Sequence, residues 1–296
     1  MDLLKGIRTL KRKALYRHEG PKLIRRNYKR FFGKELPDNP TTFTEKVTHR
    51  MIDLHAQDNP TFARLADKLL VRDFVKERIG EEYLPPILWE GTDPANIPFD
   101  SLPDKCVAKT NHGSGFNYRL VRPVDRQAVV RQFRKWLRTN YYFVYCEAHY
   151  KKIKPAIFIE PFIDEDGSEW PLDYRFWCFD GKPEVIRVGD HARSICRFHD
   201  MDWNGLPFRF SHYDDFKGDI PKPRRFGEMV EIATRLSDGF DFVRVDLYHT
   251  NERVIFGEMT FMPVAGMVHF EPVCWDRILG EKWQMVGLHA SSKGRQ

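Results

Sequence analysis

The stretch from residue 242 to residue 263, FVRVDLYHTNERVIFGEMTFMP, constrains the fold of this chain more than any other. Two strand-like runs flank a polar turn at residues 251–253, and successive side chains of a strand point to opposite faces of a sheet. The odd positions are apolar: Val243, Val245, Leu247, Ile255, Met259 and Phe261. The even positions include polar side chains: Arg244, Asp246, Glu258 and Thr260. The pattern predicts a β-hairpin with one core face and one face available for chemistry.

This hairpin pairing places Asp246 opposite Glu258. A three-residue turn puts the two carboxylates on adjacent strands, and a register shift of two residues keeps them on one face. Two neighbouring anions repel each other, and a divalent cation would remove that repulsion. Ligands that are all oxygen favour Mg²⁺, which commonly lies between carboxylates and nucleotide phosphates. The alternative is a solvated outer face with ordinary charges, because half-solvated antiparallel sheets are common.

The composition is that of a globular protein. Hydrophobic residues make up 42% and aromatic residues 14% of the 296 residues, enough for one large or two medium domains. No run approaches the roughly 20 apolar residues of a membrane span, and the N-terminal segment lacks the apolar core of a secretory signal. The five cysteines contain no CxxC, which argues against a disulfide framework and a zinc site. We therefore expect a cytoplasmic protein.

The basic charge is concentrated in an N-terminal arm. Residues 1–34 hold 12 Lys or Arg against Asp2 and Glu19, so the arm carries +10 of a chain whose net charge is +6, and the rest is −4. We expect no nucleic-acid partner, because the whole-chain charge describes the arm alone. An apolar stripe at helical spacing allows two interpretations: peripheral binding to the anionic inner face of a membrane, or packing on the main domain. Its residues are Leu3, Ile7, Leu10 and Ala14.

Hydrophobic periodicity and turn residues predict the other elements. The predicted helices cover residues 45–56, 60–79 (ending at Gly80), 124–139 and 226–238, with a closing helix around Trp275 to Trp283. The predicted strands are Cys106 to Lys109, Tyr118 to Arg122, Ala156 to Ile163, Asp173 to Asp180, Lys182 to Val188, and a pair at 192–199 and 207–212. Pro161 lacks an N–H, so it belongs at an edge or a strand end. Asp180-Gly181 is a strong hairpin signal.

A glycine loop, Thr110 to Gly115, connects two of these strands. Neither a Walker loop nor a dinucleotide fingerprint fits, because both lead into a helix. A glycine-rich hairpin can still fold its backbone N–H groups over phosphates while Lys109 reaches in from the strand. A plain structural turn with an incidental lysine is the alternative.

Together these segments resemble the TupA-like branch of the ATP-grasp superfamily, named after teichuronopeptide biosynthesis in bacterial polysaccharide clusters. The motifs that carry the resemblance are TFTEK at 42–46, DKLLVRDFV at 67–75, KTNHGSG at 109–115, IEPFID at 159–164, DYRFWCFDGKP at 173–183, DMDWNGLPF at 200–208, and FVRVDLY with FGEMTFMP in the hairpin. The resemblance implies an α+β fold in which two α+β subdomains hold a nucleotide. The predicted segments are the arm and linker (1–40), a helical lead-in (41–105), a small lobe (106–163) and a large lobe (164–296).

The resemblance also implies roles for single residues. ATP would contact Lys68, Lys109, His112, Gly113, Ser114, Gly115, Glu160, Phe162, Ile163 and Asp173, with the two lysines on phosphates, the glycine loop as a lid and Glu160 to Ile163 as the adenine hinge. Asp246, Glu258 and Thr260 would hold Mg²⁺, and Arg244 and Arg175 would stabilise the transferred phosphoryl group. Thr260 departs from the asparagine usual in ATP-grasp enzymes. Pro263 to Gly266 departs from the branch pattern on the acceptor side.

The expected activity is that of an ATP-dependent carboxylate–amine ligase that modifies a surface glycan, for instance by joining an amino acid to a uronic acid. Three alternatives remain: a glycosyltransferase, because paired acids with a divalent ion also hold nucleotide sugars; a kinase that acts on a glycan; and a non-catalytic basic module that binds through the arm. Lys109 and its glycine loop favour the ligase over a glycosyltransferase. The sequence leaves the acid, the amine and the oligomeric state open.

Overall fold

The computed structural model describes residues 19–57, 59–163, 170–190, 193–250 and 253–285. The helices are α1 (residues 19–32), α2 (Phe43–Ala56), α3 (Pro60–Ala66), α4 (Val71–Arg78), α5 (Arg126–Leu137), α6 (Tyr142–Tyr145), α7 (Phe226–Ser237) and α8 (Cys274–Lys282). The strands are β1 (Trp89–Gly91), β2 (Lys105–Thr110), β3 (Asn117–Val121), β4 (Ile157–Pro161), β5 (Asp173–Phe179), β6 (Lys182–Asp190), β7 (Ile195–His199), β8 (Arg209–Phe210), β9 (Phe242–His249), β10 (Val254–Thr260) and β11 (Phe270–Glu271). The architecture is α+β, as predicted.

A small antiparallel sheet has the strand order β1-β4-β2-β3. Val129 and Phe133 of α5 are fully buried in the apolar cluster beneath this sheet. The glycine loop bridges β2 and β3, which pair antiparallel, so the predicted strand–loop–strand order is confirmed. Pro161 is the last residue of β4 and lies opposite Cys106, a strand-end position that agrees with the missing N–H.

A larger antiparallel sheet has the order β10-β9-β5-β6-β7. One face packs on α7: Cys178 of β5 pairs with Val243 of β9, and its Sγ lies 3.9 Å from the carbonyl oxygen of Ala233 in that helix. The odd residues of β9 are therefore in the core. The opposite face carries the charged side chains. At the start of β9 this face is covered by aromatic packing, where the ring centroids of Phe242 and of Phe43 in α2 lie 5.0 Å apart. The Asp180-Gly181 turn joins β5 to β6, with φ of 48° and 74°.

The hairpin β9–β10 contains a β-bulge at Gly257 that the alternating pattern did not predict. His249 pairs with Val254 across a four-residue connection, and the register then shifts between Phe256 and Glu258. The assignment of Ile255 to the apolar face is therefore wrong, because Ile255 pairs with Tyr248 of the charged face. Only glycine fits at the bulge, since a Cβ there would lie 2.9 Å from the carbonyl oxygen of Asp246.

The helix predicted over residues 60–79 is in fact two helices, α3 and α4. Asp67 interrupts the first: its Oδ1 accepts hydrogen bonds from the backbone N–H groups of Leu69 and Leu70 at 2.9 and 3.3 Å. Short acidic side chains compete in this way with helical hydrogen bonding. The break at residues 67–70 places Lys68 in a turn. The second helix ends before Gly80, as predicted, where φ is 110°.

The predicted pairing of a strand at residues 192–199 with one at 207–212 is also wrong. β8 pairs with β11, with Phe210 opposite Phe270, and forms a separate two-stranded sheet. Phe210 is 2% exposed and contacts Phe198, Trp177 and Phe270, so aromatic packing determines its position. Ala192, the first residue of the predicted strand, lies outside the described residues.

Helix α1 contains the described part of the basic arm. Leu23, Ile24 and Tyr28 are at most 3% exposed, and Leu23 and Ile24 belong to the main apolar cluster. These contacts favour the packed interpretation for residues 19–32, while the stripe from Leu3 to Ala14 lies outside the described residues. No helix in the described part of the chain is long and apolar enough to cross a membrane.

Glu45 forms a capping box at the start of α2. Its carboxylate accepts hydrogen bonds from the backbone N–H groups of Thr41 and Thr42 at 3.0 and 3.1 Å and from Lys34 Nζ at 3.0 Å. Burial pushes the pKa of Glu45 upward, but the two backbone donors and Lys34 outweigh burial and lower the pKa to about 2. The charged carboxylate therefore stabilises the start of this helix.

We expect Glu45→Gln to lower the free energy of unfolding by about 1 kcal/mol at pH 7. Because the folded pKa lies below the ordinary value of 4.5, this stabilisation is present above pH 4.5 and is lost as the pH falls towards 2. Denaturant unfolding of both proteins between pH 7 and pH 3 measures the difference. Glu35→Gln, at an acid with a side chain 72% exposed, is the control. A difference that does not shrink in acid contradicts the assignment.

Candidate active site

A row of charged side chains crosses the open face of the large sheet. Backbone pairing sets Glu258 opposite Asp246, Asp246 opposite Arg175, and Arg175 opposite Arg187. Directly paired residues share a face, so side chains from β10, β9, β5 and β6 lie next to one another. The predicted juxtaposition of Asp246 and Glu258 is confirmed. We call these four residues the charged row.

Arg244 connects the oxygen atoms at one end of the charged row. Its Nε and NH2 donate to the two carboxylate oxygens of Asp246 at 2.6 Å each. The same NH2 lies 3.1 Å from Glu258 Oε1 and 2.9 Å from Thr260 Oγ1. The Thr260 hydroxyl in turn donates to Glu258 Oε1 at 3.0 Å. The guanidinium thus occupies the centre of the three predicted metal ligands.

Basic side chains neutralise the carboxylates without a metal ion. Lys68 Nζ lies 3.4 Å from Glu258 Oε2, and Arg175 Nε lies 3.5 Å from Asp246 Oδ2. Burial would raise the pKa of Glu258, but Lys68, Arg244 and Arg175 outweigh burial and lower the pKa to about 2. The mutual repulsion expected from the sequence is therefore offset by the protein's own cations.

Asp173 orients Arg175 at the start of β5. The carboxylate is 2% exposed and lies 2.6 Å from Arg175 Nε. Coulombic attraction to Asp173, Asp246 and Glu258 exceeds the effect of burial and raises the pKa of Arg175, so the guanidinium keeps its charge. Asp173 therefore acts on the site by orienting Arg175.

Lys68 joins the two sheets through the glycine loop. The helix break at residues 67–70 lets its Nζ donate to the carbonyl oxygen of Gly113 at 2.8 Å while it approaches Glu258. Asp67 next to it accepts a hydrogen bond from Asn111 Nδ2 at 3.0 Å, which fixes the break against the start of the loop. One lysine thus contacts both the predicted lid and the predicted metal site.

The glycine loop is buried where it leaves β2 and exposed at its tip. His112 is 2% exposed, and its Nε2 lies 3.2 Å from the carbonyl oxygen of Trp136 in α5 and 3.1 Å from that of Thr139 just after the helix. Gly113 has φ of 110°, and a Cβ there would lie 2.6 Å from the ring of Tyr141. Ser114 and Gly115 are exposed. His112 therefore anchors the loop, whereas the tip is free to approach a ligand.

Lys109 and the predicted hinge meet at the end of β4. Lys109 Nζ lies 2.7 Å from Glu160 Oε2, and Arg72 NH1 lies 3.2 Å from Glu160 Oε1. Glu160 is 5% exposed, and the next residues Phe162 and Ile163 are half-buried. The side chain of Glu160 therefore orients the two cations, and its backbone lies at the strand end.

Several polar residues near the site were not identified from the sequence. Burial, with Glu258 nearby, raises the pKa of Glu147 to about 8, and burial lowers the pKa of His149 to about 3. These residues lie in a connection without a helical or strand pattern, and no sequence signal marks them. Arg187 did carry a signal, because it is the one charge among the apolar residues at positions 185–188 of a predicted strand.

The oxygen donors of the hairpin suit a magnesium ion that shares its coordination with a nucleotide. Among the described residues, no group of three or more His, Cys, Asp or Glu side chains forms a metal site. Two carboxylates and one hydroxyl, those of Asp246, Glu258 and Thr260, lie together instead. Mg²⁺ is usually held by one or two carboxylates together with phosphates and water, so this set fits the ion.

An antiparallel sheet with a glycine loop that Lys68 links to the charged face of a second sheet is the arrangement of an ATP-grasp enzyme, an ATP-dependent ligase. The model of the family described as TupA-like ATP-grasp matches residues 45–284, and the chain belongs to that family. The resemblance noted from the sequence motifs is confirmed, together with the fold that it implies.

Solved structures with a similar fold are distant in sequence. D-alanine–D-alanine ligase from Bacillus anthracis, complexed with ATP, is 13% identical, with a TM-score of 0.44 over 78% of this chain and 68% of that chain. A RimK domain ATP-grasp protein from Sphaerobacter thermophilus is 14% identical, with a TM-score of 0.43 over 76% of this chain and 70% of that chain. No curated protein matches the chain.

Proposed function

We propose that the chain is a carboxylate–amine ligase that works through an acyl phosphate. ATP transfers its γ-phosphoryl group to an acid, ADP leaves, and an amine then attacks the acyl carbon and releases phosphate. The observation that carries the proposal is the cluster of Lys68, Arg175 and Arg244 around Asp246 and Glu258. Such a cluster can bind phosphates and a metal ion together and stabilise charge on a transferred phosphoryl group.

In this proposal ATP lies between the two sheets. Lys68 and Lys109 would contact phosphates, and the exposed tip at Ser114 and Gly115 would cover them with backbone N–H groups. The contact of Lys68 with both Gly113 and Glu258 supports this placement. His112 would act through the position of the loop, since its Nε2 already faces two backbone carbonyls.

The adenine would lie against the end of β4. Phe162 and Ile163 follow the buried Glu160 and are partly exposed. Their apolar side chains suit the flat face of adenine, and the backbone at the strand end suits its hydrogen-bonding edge. Glu160 would orient Lys109, and Asp173 would orient Arg175, through the ion pairs already described. Both acids thus serve the nucleotide through a neighbouring cation.

Asp246, Glu258 and Thr260 would hold Mg²⁺. When bound, the ion would neutralise phosphate charge and fix the geometry of the nucleotide. Arg244 makes two hydrogen bonds to Asp246, one to Glu258 and one to Thr260. In the proposed reaction the Arg244 guanidinium would hold the oxygens of the acid and of its phosphorylated form.

The division of the chain into segments 1–40, 41–105, 106–163 and 164–296 remains part of the proposal. The separate small and large sheets support two lobes, and β1 at residues 89–91 adds a strand from the lead-in to the small sheet. The setting would be the cytoplasm, with a glycan acid such as a uronic acid and an amino acid as the amine. Peripheral membrane binding would rest on residues 1–18, and sedimentation with anionic liposomes, with and without them, tests it.

The activity is tested by an acceptor screen that follows ADP and phosphate. We expect release of both to require an acid and an amine together, and Lys109→Met to reduce the rate at least about 100-fold, because a positioned cation on the phosphates is lost. Lys135→Met, at an exposed residue of α5, is the control. Consumption of a sugar nucleotide without ATP would instead identify a glycosyltransferase, and a phosphorylated glycan formed without amine would identify a kinase.

A further inference from the structure

Arg187 is a buried cation that the proposed phosphoryl-transfer chemistry does not use. It is 3% exposed, and neither Nε nor NH2 has a hydrogen-bond partner among the described residues. The nearby carboxylate of Asp173 is held by Arg175 at 2.6 Å. Leaving two donors of a buried guanidinium unsatisfied is costly. The described residues supply no acceptor for these two donors, so a ligand could supply one.

Aromatic rings and a glycine surround the guanidinium of Arg187, which shares a face with Arg175. Tyr213 and Phe210 lie against the guanidinium, at 4.7 and 5.7 Å from their ring centroids. Beside it Gly189 packs closely: a Cβ there would lie 3.0 Å from Arg187 NH2 and 3.0 Å from Asp173 Oδ1, tighter than an ordinary contact. Burial and the neighbouring Arg175 lower the pKa of Arg187. Aromatic rings against the guanidinium, together with its two unsatisfied donors, suit a small planar anion.

The charged row also sets the distance of this position from the metal ligands. Arg187 lies one strand from Arg175 and two strands from Asp246. Neighbouring strands are about 4.8 Å apart, so an anion on Arg187 would lie about 5–10 Å from the reacting carboxylate. This separation corresponds to two anionic groups joined by a chain of a few carbon atoms.

We infer that Arg187 binds a second oxyanion of the acid substrate, so that the enzyme selects acids with two anionic groups. The inference rests on the proposed ligase function. One carboxylate lies beside Arg175 and Arg244 and is phosphorylated, and the other group, a carboxylate or a phosphate, accepts hydrogen bonds from the planar fork of Arg187. Arg187 is thus a specificity-determining residue.

Binding of simple probe acids to the full chain with Mg-ADP tests this inference. Glutarate has two carboxylates, and pentanoate has one on a chain of the same length. The ratio of their dissociation constants therefore measures the contribution of the second carboxylate to binding. We expect glutarate to bind wild type at least tenfold more tightly than pentanoate, and Arg187→Met to abolish that preference without weakening pentanoate. 3-Phosphoglycerate replaces the second carboxylate by a phosphate and separates the two sources of the oxyanion.

Two further variants keep the result interpretable. Arg187→Lys keeps the charge but loses the planar fork, and we expect it to retain part of the preference. Arg224→Met removes an exposed arginine and should change nothing. Equal binding of all three probes to wild type, or an unchanged preference in Arg187→Met, overturns the inference. Binding of Mg-ATP is measured separately: its absence overturns the proposed ligase, whereas the probe titrations repeated without nucleotide still test Arg187.

Discussion

Glu258→Gln is expected to abolish the gain in melting temperature that Mg-ATP produces in the wild-type protein and to reduce ADP release at least about 100-fold. Glutamine keeps the shape but removes one of two carboxylates that would hold the ion. In the absence of ligand the variant should be slightly less stable than wild type at pH 7, because Glu258 contacts Lys68 and Arg244. Thermal melts with and without Mg-ATP measure both effects.

Val245→Thr is the matched control for this experiment. The residue precedes Asp246 but lies on the opposite, core face and is 0% exposed. A hydroxyl buried there without a partner costs about 1–3 kcal/mol, so the ligand-free protein should melt at a lower temperature and keep its full response to Mg-ATP. If Glu258→Gln retained wild-type turnover and the full thermal shift, the metal assignment would be wrong.

Arg50→Met is expected to lower the free energy of unfolding by about 3–5 kcal/mol, since it breaks a buried ion pair and leaves the partner charge behind. Arg50 of α2 is 2% exposed, pairs with Asp241 and donates to the carbonyl oxygen of Phe242 at 2.8 Å. Its guanidinium also lies 4.3 Å from the ring centroid of Trp283. This contact holds α2 and the C-terminal segment against the start of β9.

Arg78→Met is the matched control, because it removes a second Arg–Asp ion pair that is exposed instead of buried. Arg78 of α4 lies 3.1 Å from Asp238, with side chains that are 37% and 75% exposed. Exposed ion pairs contribute at most about 1 kcal/mol, so this variant should remain close to wild type in denaturant unfolding. Equal losses for the two variants would show that burial of Arg50 is not what makes its pair important.

The pairing of the two carboxylates was predictable from the sequence, although the details that produce it were not. Strand parity places Asp246 and Glu258 on one face, and a three-residue turn pairs them directly. The structure has a longer connection, with His249 opposite Val254, which shifts the register by one residue. The bulge at Gly257 shifts it back. Two irregularities cancel at Glu258 but not at Ile255, whose predicted face was therefore wrong.

Contacts between elements far apart in the chain could not be predicted from sequence patterns. Lys68 was predicted only from the family resemblance, because its turn arises from Asp67 hydrogen bonds that compete with helix formation. The pairing of β8 with β11 follows from aromatic packing around Phe210. Hydrophobic periodicity reports which face of an element is buried, and it contains no information about which element buries that face.

The sequence by itself determined the glycine loop between two strands and the separation of the hairpin into a core face and a charged face, and its family resemblance implied the α+β class. The loop and the two faces follow from residues close together in the chain, where backbone geometry fixes the direction of side chains. Only the tertiary structure decided how the charges are compensated. Lys68, Arg175 and Arg244 converge on the two carboxylates from three elements, and Arg187 is buried beside them with two donors that find no acceptor in the part of the chain that the structure describes. Electrostatic compensation depends on distances between packed elements, which no local pattern encodes.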